Sequence, residues 1–375
     1  MHRLVFYGFI ILAIVLLVAF VNVIIYWLLR ICLTKHAAHV TSWCIVLAMF
    51  VITGISVWWG HTHTRLQIEV KQVDVVSPRV PEAFDGYRIA QISDFHLNSF
   101  ESEEGRDFIA RLTQCMQEQQ PDLIVFTGDL VTIRSAEGYP FRESLAKLSH
   151  IQRRDHQGEA PIYSILGNHD YADYMRNFDQ ERRINDVDSL IALQEGAGWH
   201  MLKNTSVLLS ATTSSPDTLC SSANAAATQS ILLVGVENIG EPPFSVYGDL
   251  NQAMAEQGGL AAADSLFTVL LSHNPTHWRS EVLPQTRIDL TLSGHTHATQ
   301  FKVGSFCPSK WKYDEYMGLY DADHSPLLDG QPYAERQTSV NTPQYLYVNT
   351  GLGCVGPAVR VGVKPEVTIL TLRRP

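Results

Sequence analysis

Four short polar motifs, each placed directly after a strand-length apolar run, constrain the fold of this chain more than any other feature. The apolar runs cover residues 89–93, 123–126, 162–166 and 288–292. The motifs that follow them are Asp94-Phe95-His96, Gly128-Asp129, Gly167-Asn168-His169-Asp170 and Gly294-His295-Thr296-His297. Open α/β sheets place their functional residues at the carboxyl ends of strands. The arrangement therefore predicts that these four motifs converge at one edge of a sheet.

The rest of the chain predicts an α/β fold. Residues 102–119 have the apolar spacing of an amphipathic helix, which Pro121 ends, and a second helix is expected over 185–195. Residues 231–236 and 267–271 are predicted strands, and the alternation over 66–76 is typical of an edge strand. Strands interleaved with helices indicate α/β layering.

The residue types in the motifs suit a pair of metal ions. Carboxylates and imidazoles bind divalent ions, and in a two-metal site one carboxylate usually bridges both. Asp94 and His96 are two residues apart, so they would share a face if the strand continued. The glycines would let the backbone turn sharply and approach the ions.

Each residue taken alone has a structural interpretation. Asp94 could cap a helix, and Asp129 and Asn168 could be turn residues. His295 and His297 could be exposed loop histidines. His273, in Ser272-His273-Asn274-Pro275, would be called structural without the other motifs. None of these alternatives explains four motifs that recur in one order, so the metal interpretation is favoured for the set.

The motif order resembles the calcineurin-like metallophosphoesterase superfamily, whose pattern is D-x-H, G-D, G-N-H-D/E, H and G-H-x-H. The resemblance extends from about Leu66 to the C-terminus and is greatest to a bacterial membrane-associated, YkuE-like branch. The segments 88–96, 272–275, 349–353 and 365–367 also carry it. The resemblance implies two facing mixed β-sheets with helices outside, and a binuclear metal-dependent phosphoesterase.

The resemblance also implies a role for each site residue. Asp94, His96 and His297 would hold one ion, and Asn168, His273 and His295 the other. Asp129 would bridge the two ions. His169 would act on the substrate, either by protonating the leaving oxygen or by stabilising charge, and Asp170 would orient His169. The branch usually has two glycines where this chain has Ala298-Thr299, which makes the backbone path after His297 an open question.

The ions are two divalent metals, with Mn first by resemblance and Fe, Zn or Co as alternatives. The substrate could be a phosphodiester, a pyrophosphate or a phosphomonoester. A lipid-linked substrate, such as the UDP-diacylglucosamine-type lipid that some relatives cleave, is one option. The alternative from another class is a non-catalytic membrane-anchored scaffold with the same fold. Such a scaffold would be expected to lose ligands, and this chain retains all of them.

Two apolar stretches predict an N-terminal transmembrane hairpin. Residues 4–29 contain no charged residue and are long enough to cross a bilayer, which takes about 20 residues. Residues 43–59 form a second, shorter span, for which a buried soluble helix is the alternative. Tryptophans near the span ends resemble an aromatic belt. The expected organisation is a membrane anchor over 1–59, a linker over 60–65 and a catalytic domain over 66–375.

The hairpin predicts an integral protein of a bacterial cell membrane. More basic residues flank the outer ends of the spans than the loop between them, which favours a cytoplasmic catalytic domain. The net charge of −10 disfavours non-specific nucleic-acid binding, since phosphates need Lys and Arg contacts. The six cysteines form no C-x-x-C pair and predict neither a disulfide framework nor a thiolate zinc site. The sequence does not determine the oligomeric state.

Two further segments stand out. Residues 211–230 are rich in Ser, Thr and Ala and predict a flexible surface insertion. Residues 304–344 form a long connection that contains four aromatic residues: Trp311, Tyr313, Tyr316 and Tyr320. Long loops in compact domains are often functional. These aromatic side chains either pack the connection onto the sheet or form a lip for the substrate.

Overall fold

The computed structural model describes residues 2–155, 158–210, 230–242, 245–322 and 343–375, with side chains from Leu16 onward. It divides into two compact units, Met1–Thr62 and His63–Pro375. The helices are α1 (His2–Leu29), α2 (Lys35–Thr62), α3 (Glu103–Gln119), α4 (Arg142–Leu148), α5 (Gln180–Gly196), α6 (Leu250–Met254), α7 (Ala262–Ser265) and α8 (Leu283–Gln285). The strands are β1 (Glu69–Val76), β2 (Arg88–Ile92), β3 (Leu123–Phe126), β4 (Ile162–Ser164), β5 (His200–Met201), β6 (Thr205–Ser210), β7 (Ser230–Gly235), β8 (Phe267–Leu271), β9 (Leu290–Ser293), β10 (Gly318–Asp321), β11 (Tyr345–Val348) and β12 (Glu366–Arg373).

The second unit contains two six-stranded mixed sheets. Their strand orders are β1-β12-β2-β3-β4-β5 and β10-β11-β9-β8-β7-β6. In the first sheet β2, β3 and β4 are parallel and β12 is antiparallel to β2. In the second sheet β7, β8, β9 and β11 are parallel, whereas β6 and β10 are antiparallel additions at the edges. The predicted fold class is therefore confirmed.

Three apolar layers hold this unit together. The central layer lies between the sheets and combines side chains such as Val125 of β3 with Val269 of β8 and Leu292 of β9. A second layer packs the first sheet against α3, α4 and α5, and a third packs the second sheet against α6 and Trp278. Burial of apolar surface on both sides of each sheet explains why β3, β7 and β8 are mainly apolar without strict alternation.

Several element boundaries differ from the prediction. The helix expected over 185–195 begins at Gln180, because the Asp179 side chain accepts a hydrogen bond from the Arg182 amide and caps it. The connection over 304–344 includes β10 and a helical turn, Pro308–Trp311, in its described part, whereas residues 323–342 lie outside the described residues. The predicted insertion at 211–230 lies outside the described residues, apart from Ser230 at the start of β7.

The first unit consists of two helices. α1 covers the first predicted span, and α2 covers the second. α2 begins at Lys35, earlier than the predicted span at 43, and its apolar side chains are largely exposed. Asn22 of α1 donates a hydrogen bond to the Ser42 hydroxyl of α2 over 3.4 Å, which joins the helices through a buried polar pair. Among the described residues, one helix, Lys35–Leu66, is long and apolar enough to cross a membrane by length and composition.

Candidate metal centre

The motif residues follow the carboxyl ends of three parallel strands in the first sheet and two parallel strands in the second. Asp94, Asp129 and Asn168 follow β2, β3 and β4 of the first sheet, and His273 and His295 follow β8 and β9 of the second. Register aligns the last residues of neighbouring strands, for example Ile92 with Phe126. The parallel direction brings the motifs of each sheet to one edge, and contacts such as His273 with Asp129 show that the two edges meet. The predicted convergence of the four motifs is observed.

Two groups of side chains could each hold an ion. The inner group is Asp94, His96 and His297, and all three are buried. The outer group is Asn168, His273 and His295, of which His295 is only partly buried. Asp129 lies with the outer group, and the potential ligand atoms of Asp129, His273 and His295 are within 4.8 Å of one another. The structure thus brings all seven predicted ligands together.

The Asp129 carboxylate contacts both groups through one oxygen. Its Oδ2 lies 3.1 Å from Nε2 of His273 and 3.5 Å from Nε2 of His96. The backbone amide of His169 donates to its other oxygen, Oδ1, over 2.8 Å. The carboxylate is therefore oriented by the His169 amide, and Oδ2 is directed at imidazoles from both groups.

The inner group is equally close-packed. Nε2 of His297 lies 3.2 Å from Oδ1 of Asp94 and 3.1 Å from Nε2 of His96. Ligands about one ion with bonds of roughly 2.0–2.2 Å are separated by about this much. In the outer group, Nδ1 of His295 lies 2.7 Å from Oδ1 of Asn168. Nε2 of His273 is buried, and its polar neighbour is the Asp129 carboxylate, so it faces the position that a metal ion would occupy.

The backbone at the centre is strained. Asp94, His96, Asp129, His295 and His297 all have φ between 44° and 72°, in the left-handed region. Such conformations cost about 1–3 kcal/mol each and cluster at functional sites. The expectation that Asp94 and His96 share the face of a continuing strand is wrong, because β2 ends at Ile92 and left-handed turns place both side chains instead.

Glycine is required where motifs cross at close range. A Cβ on Gly294 would lie 2.2 Å from Oδ2 of Asp94, and one on Gly167 would lie 2.2 Å from Oδ1 of Asp129. Neither position has room for a side chain without displacing a carboxylate. The open question after His297 has an answer in the structure: Ala298, Thr299 and Gln300 all have φ between 47° and 56°. The chain follows a left-handed path there without the glycines usual in this branch.

His169 and Asp170 are placed differently from the ligands. His169 is only partly buried, and its Nδ1 lies 2.6 Å from the Thr132 carbonyl. Asp170 is fully buried and accepts hydrogen bonds from the backbone amides of Asp129, Val131 and Gly167. The expected contact between Asp170 and the His169 imidazole is therefore corrected. Asp170 fixes the two motif backbones together, and the Thr132 carbonyl orients His169.

Charge at the centre follows from burial and mutual contact. Burial lowers the pKa of His96 well below its usual range, and burial and the nearby His273 lower the pKa of His295 to about 3. Burial disfavours the charged form of His273 too, but the Asp129 carboxylate outweighs it and raises the pKa of His273 to about 9. Burial, with Asp129 second, raises the pKa of Asp170 to about 7. His96 and His295 are thus neutral and ready to bind a metal, whereas His273 must first lose a proton.

Two residues at the centre, Tyr174 and Arg360, were not identified from the sequence, and a third, Tyr313, was named there only as an aromatic residue of the 304–344 connection. Tyr174 stacks on His169 with ring centroids 4.5 Å apart, and its hydroxyl accepts a hydrogen bond from the Asn168 amide. The Tyr313 hydroxyl lies 2.9 Å from Nε2 of His295, which gives this aromatic of the 304–344 connection a position at the site. Arg360 is fully buried, and its Nη2 lies 3.4 Å from Nδ1 of His297. No motif marks these residues in the sequence.

Comparison with known proteins agrees with this geometry. A model of the calcineurin-like phosphoesterase family matches residues 87–299. The chain is 26% identical over 310 residues to the uncharacterized metallophosphoesterase YkuE of Bacillus subtilis, which covers 82% of this chain and 86% of that protein. It is 25% identical over 346 residues to the UDP-2,3-diacylglucosamine pyrophosphatase LpxG of Chlamydia trachomatis, covering 87% of this chain and 94% of that one.

A vertebrate relative is named for a membrane location. The chain is 26% identical over 333 residues to the transmembrane protein with metallophosphoesterase domain of Bos taurus, covering 87% of this chain. It spans 62% of the length of that protein. The family match begins after the first structural unit and ends just beyond His297.

Proposed function

Because this chain belongs to the calcineurin-like phosphoesterase family and is a metal-dependent phosphoester hydrolase, we propose that its seven-residue cluster holds two ions bridged by Asp129. The observation that carries the proposal is the position of Asp129 Oδ2 between His96 of the inner group and His273 of the outer group. Carboxylate, imidazole and amide donors fit Mn, Fe, Zn or Co, and Mn is proposed by family resemblance. Two bound ions lower the pKa of water and neutralise charge on a phosphoryl group.

The protein residues have separate tasks in this account. The hydrogen bond to the Thr132 carbonyl places a proton on Nδ1 of His169. Its Nε2 is then the atom that gives a proton to the leaving oxygen. Tyr174 holds the ring by stacking, and Asp170 keeps the Asp129 and Gly167 backbones in register. Asp170 is thus proposed as a positioning residue.

The proposed substrate is a lipid-linked phosphodiester or pyrophosphate. A similar protein is named as a UDP-2,3-diacylglucosamine pyrophosphatase, and the chain has a candidate membrane span in α2. We propose that α1 and α2 anchor the catalytic unit to a bacterial cell membrane, with the catalytic unit on the cytoplasmic face. A non-catalytic scaffold does not fit a chain that keeps every ligand and His169.

The experiment is a substrate comparison with the purified full chain in nanodiscs. The substrates are UDP-2,3-diacylglucosamine, bis(p-nitrophenyl) phosphate and p-nitrophenyl phosphate, each with Mn and after chelation. We expect chelation to abolish hydrolysis, Mn to restore it, and the lipid to be cleaved with the highest kcat/KM. Undiminished turnover in a verified metal-free preparation contradicts the metal proposal. Cleavage of only the nitrophenyl compounds contradicts the lipid substrate alone.

The role of His169 is tested by varying the leaving group. His169→Asn should retain two ions per chain, because Asn168 is the proposed ligand in that motif. A general acid contributes typically about 10²–10⁴-fold, so kcat should fall by that factor on an alkyl phosphodiester. The loss should shrink with nitrophenolate, which leaves without protonation. If the variant loses metal, His169 is a ligand. If kcat falls equally on both substrates, His169 stabilises charge instead of protonating the leaving oxygen.

A further inference from the structure

An exposed apolar surface follows directly after the last metal ligand. It consists of Phe301, Val303, Phe306 and Trp311, which are 36%, 58%, 49% and 78% exposed. We call these four side chains the rim. Contiguous exposed apolar surface on a soluble unit usually marks a binding site, whereas scattered single residues do not.

The rim is ordered and continuous. Phe306 packs edge-on against Phe301, with centroids 6.2 Å apart, and against Trp311, at 5.6 Å. Two backbone hydrogen bonds of 3.0 Å join Val303 and Phe306 in both directions. Hydrogen bonds therefore hold the backbone of the rim in one conformation while its apolar side chains remain exposed to solvent.

Basic side chains alternate with the apolar ones. Lys302, Lys310 and Lys312 lie in the same segment, in a chain whose net charge is −10. Lys310 lies over the Tyr316 ring and Lys312 over the Tyr313 ring. The nearby acidic residues Asp314 and Glu315 pair with Arg279. Exposed Trp and Phe with interspersed Lys is the composition of surfaces that lie at an anionic lipid–water interface.

Both ends of the rim segment are attached to the metal centre. Ala298, next to His297, accepts a hydrogen bond from the Cys307 thiol through its carbonyl. At the other end, Tyr313 follows Trp311 by two residues and contacts His295. The rim segment is thus fixed next to two ligands of the metal centre, so a surface bound by the rim would be brought towards that centre.

We propose that the rim docks the catalytic unit on the anionic surface of a lipid bilayer, so that the metal centre faces lipid headgroups. This inference rests on the proposed lipid-linked substrate. The apolar side chains enter the interface while the lysines contact headgroup phosphates. A two-fold contact between the rims of two copies would bring their lysines together, and like-charge repulsion disfavours this arrangement.

Fluorescence quenching tests the docking directly. The full chain and Trp311→Phe are reconstituted in nanodiscs containing phosphatidylglycerol, with and without brominated acyl chains. Phe keeps the rim apolar, so the difference between the two proteins isolates the emission of Trp311. We expect brominated lipid to quench the Trp311 emission in nanodiscs that contain phosphatidylglycerol. When phosphatidylcholine replaces the anionic lipid, brominated lipid should no longer quench it. Unquenched Trp311 emission in anionic nanodiscs overturns the proposal.

A kinetic comparison tests the consequence for turnover. The variant Phe306→Ser/Trp311→Ser is compared with Tyr139→Ser/Ile184→Ser, which removes two similarly exposed apolar side chains elsewhere. On UDP-2,3-diacylglucosamine in nanodiscs, the rim variant should lose kcat/KM by about tenfold or more. The rim variant and the control variant should hydrolyse bis(p-nitrophenyl) phosphate at the same rate. Equal losses on both substrates would make the rim a support of the metal centre and overturn docking.

The test separates this inference from the proposed function. If the wild-type chain cleaves bis(p-nitrophenyl) phosphate but no lipid, the lipid substrate fails, and quenching of Trp311 alone decides the docking. A third outcome combines two results: the wild-type chain is a dimer in size-exclusion chromatography but the rim variant is a monomer, and Trp311 of the wild-type chain is not quenched. A second copy of the chain would then occupy the rim, and the proposal would be wrong.

Discussion

The inner and outer groups of the metal centre are similar in composition but differ in what surrounds them. The inner histidines are backed by protein: Nδ1 of His96 lies 3.1 Å from the Thr132 hydroxyl, and Nδ1 of His297 lies beside Arg360. In the outer group, His295 and Asn168 contact the hydroxyls of Tyr313 and Tyr174, and Tyr174 is 47% exposed. If both groups hold ions as proposed, the inner ion would be enclosed by protein and the outer ion would lie nearer the surface that meets substrate.

The backbone strain shows why such a centre needs this fold. His96 and Asp129 adopt left-handed conformations, which cost energy for any residue with a side chain. Asp170 offsets this cost by accepting three backbone hydrogen bonds at full burial. The stability of the two-sheet fold thus maintains strained left-handed turns, which place the side chains where they could bind an ion.

The largest expected effect tests whether the two groups are joined at all. Asp129→Asn keeps the shape of the side chain but removes the shared charge. We expect both ions to be lost and kcat/KM to fall by more than the roughly 10²–10³-fold cost of losing one stabilising donor. Elemental analysis gives the metal content. If two ions per chain remained bound, the two groups would bind metal independently, and Asp129 would not bridge them.

A second variant addresses the inner group alone. Arg360 donates to the carbonyls of Thr350, Gly351 and Gly353, and this segment contacts the Asp94 backbone. Arg360→Lys removes most of these donors. Because loss of residues that orient a ligand costs typically about 10–100-fold in metal affinity, binding of the inner ion should weaken by that factor.

The matched control for Arg360 is Arg79→Lys. Arg79 also donates to backbone carbonyls, those of Ala263 and Arg287, but at the opposite end of the second sheet. Arg79→Lys should lower the thermal unfolding temperature of the protein. Its affinity for Mn, measured by calorimetric titration, should not change. If both variants weaken metal binding equally, Arg360 acts only through stability.

The pH dependence of metal binding should distinguish the groups. The raised pKa of His273 means that the outer group carries a proton below about pH 9 when no metal is bound. Binding of the outer ion must release this proton, so its apparent affinity should rise about tenfold per pH unit from pH 7 to 9. His96 of the inner group is already neutral. Calorimetry in buffers of different ionisation enthalpy should show proton release for the step that His295→Ala removes. Equal proton release in both steps would contradict the distinction.

The smallest expected effect concerns the tyrosine hydroxyl at the outer group. Tyr313→Phe removes one hydroxyl beside His295 and leaves the ring. A single hydrogen bond is worth about 0.5–1.5 kcal/mol, so KM should change by roughly two- to tenfold with both ions retained. Tyr320→Phe, whose hydroxyl bonds backbone amides within the same connection, serves as the control. A metal loss in Tyr313→Phe would make the outer group depend on this hydroxyl.

The sequence predicted the strands and the convergence of the motif residues because both depend on local patterns. Apolar runs such as 123–126 are buried on both faces, and the motifs follow them in fixed order. Left-handed turns at Asp94 and His96 were not predicted, because Asp and His adopt this conformation in only a minority of cases and no turn motif marks these positions. Arg360 and Tyr174 were missed because only tertiary packing brings them to the centre. The Asp179 cap could have been found, since an Asp before Gln180 and Glu181 is a readable helix start.

The central claim is that two ions share the Asp129 carboxylate. Electron paramagnetic resonance of the full chain loaded with Mn tests it most directly, since bridged ions lie roughly 3.5–4 Å apart. We predict two Mn per chain and a spin-coupled spectrum, which Asp129→Asn abolishes. One Mn per chain, or only the six-line signal of isolated Mn at full loading, would contradict the account.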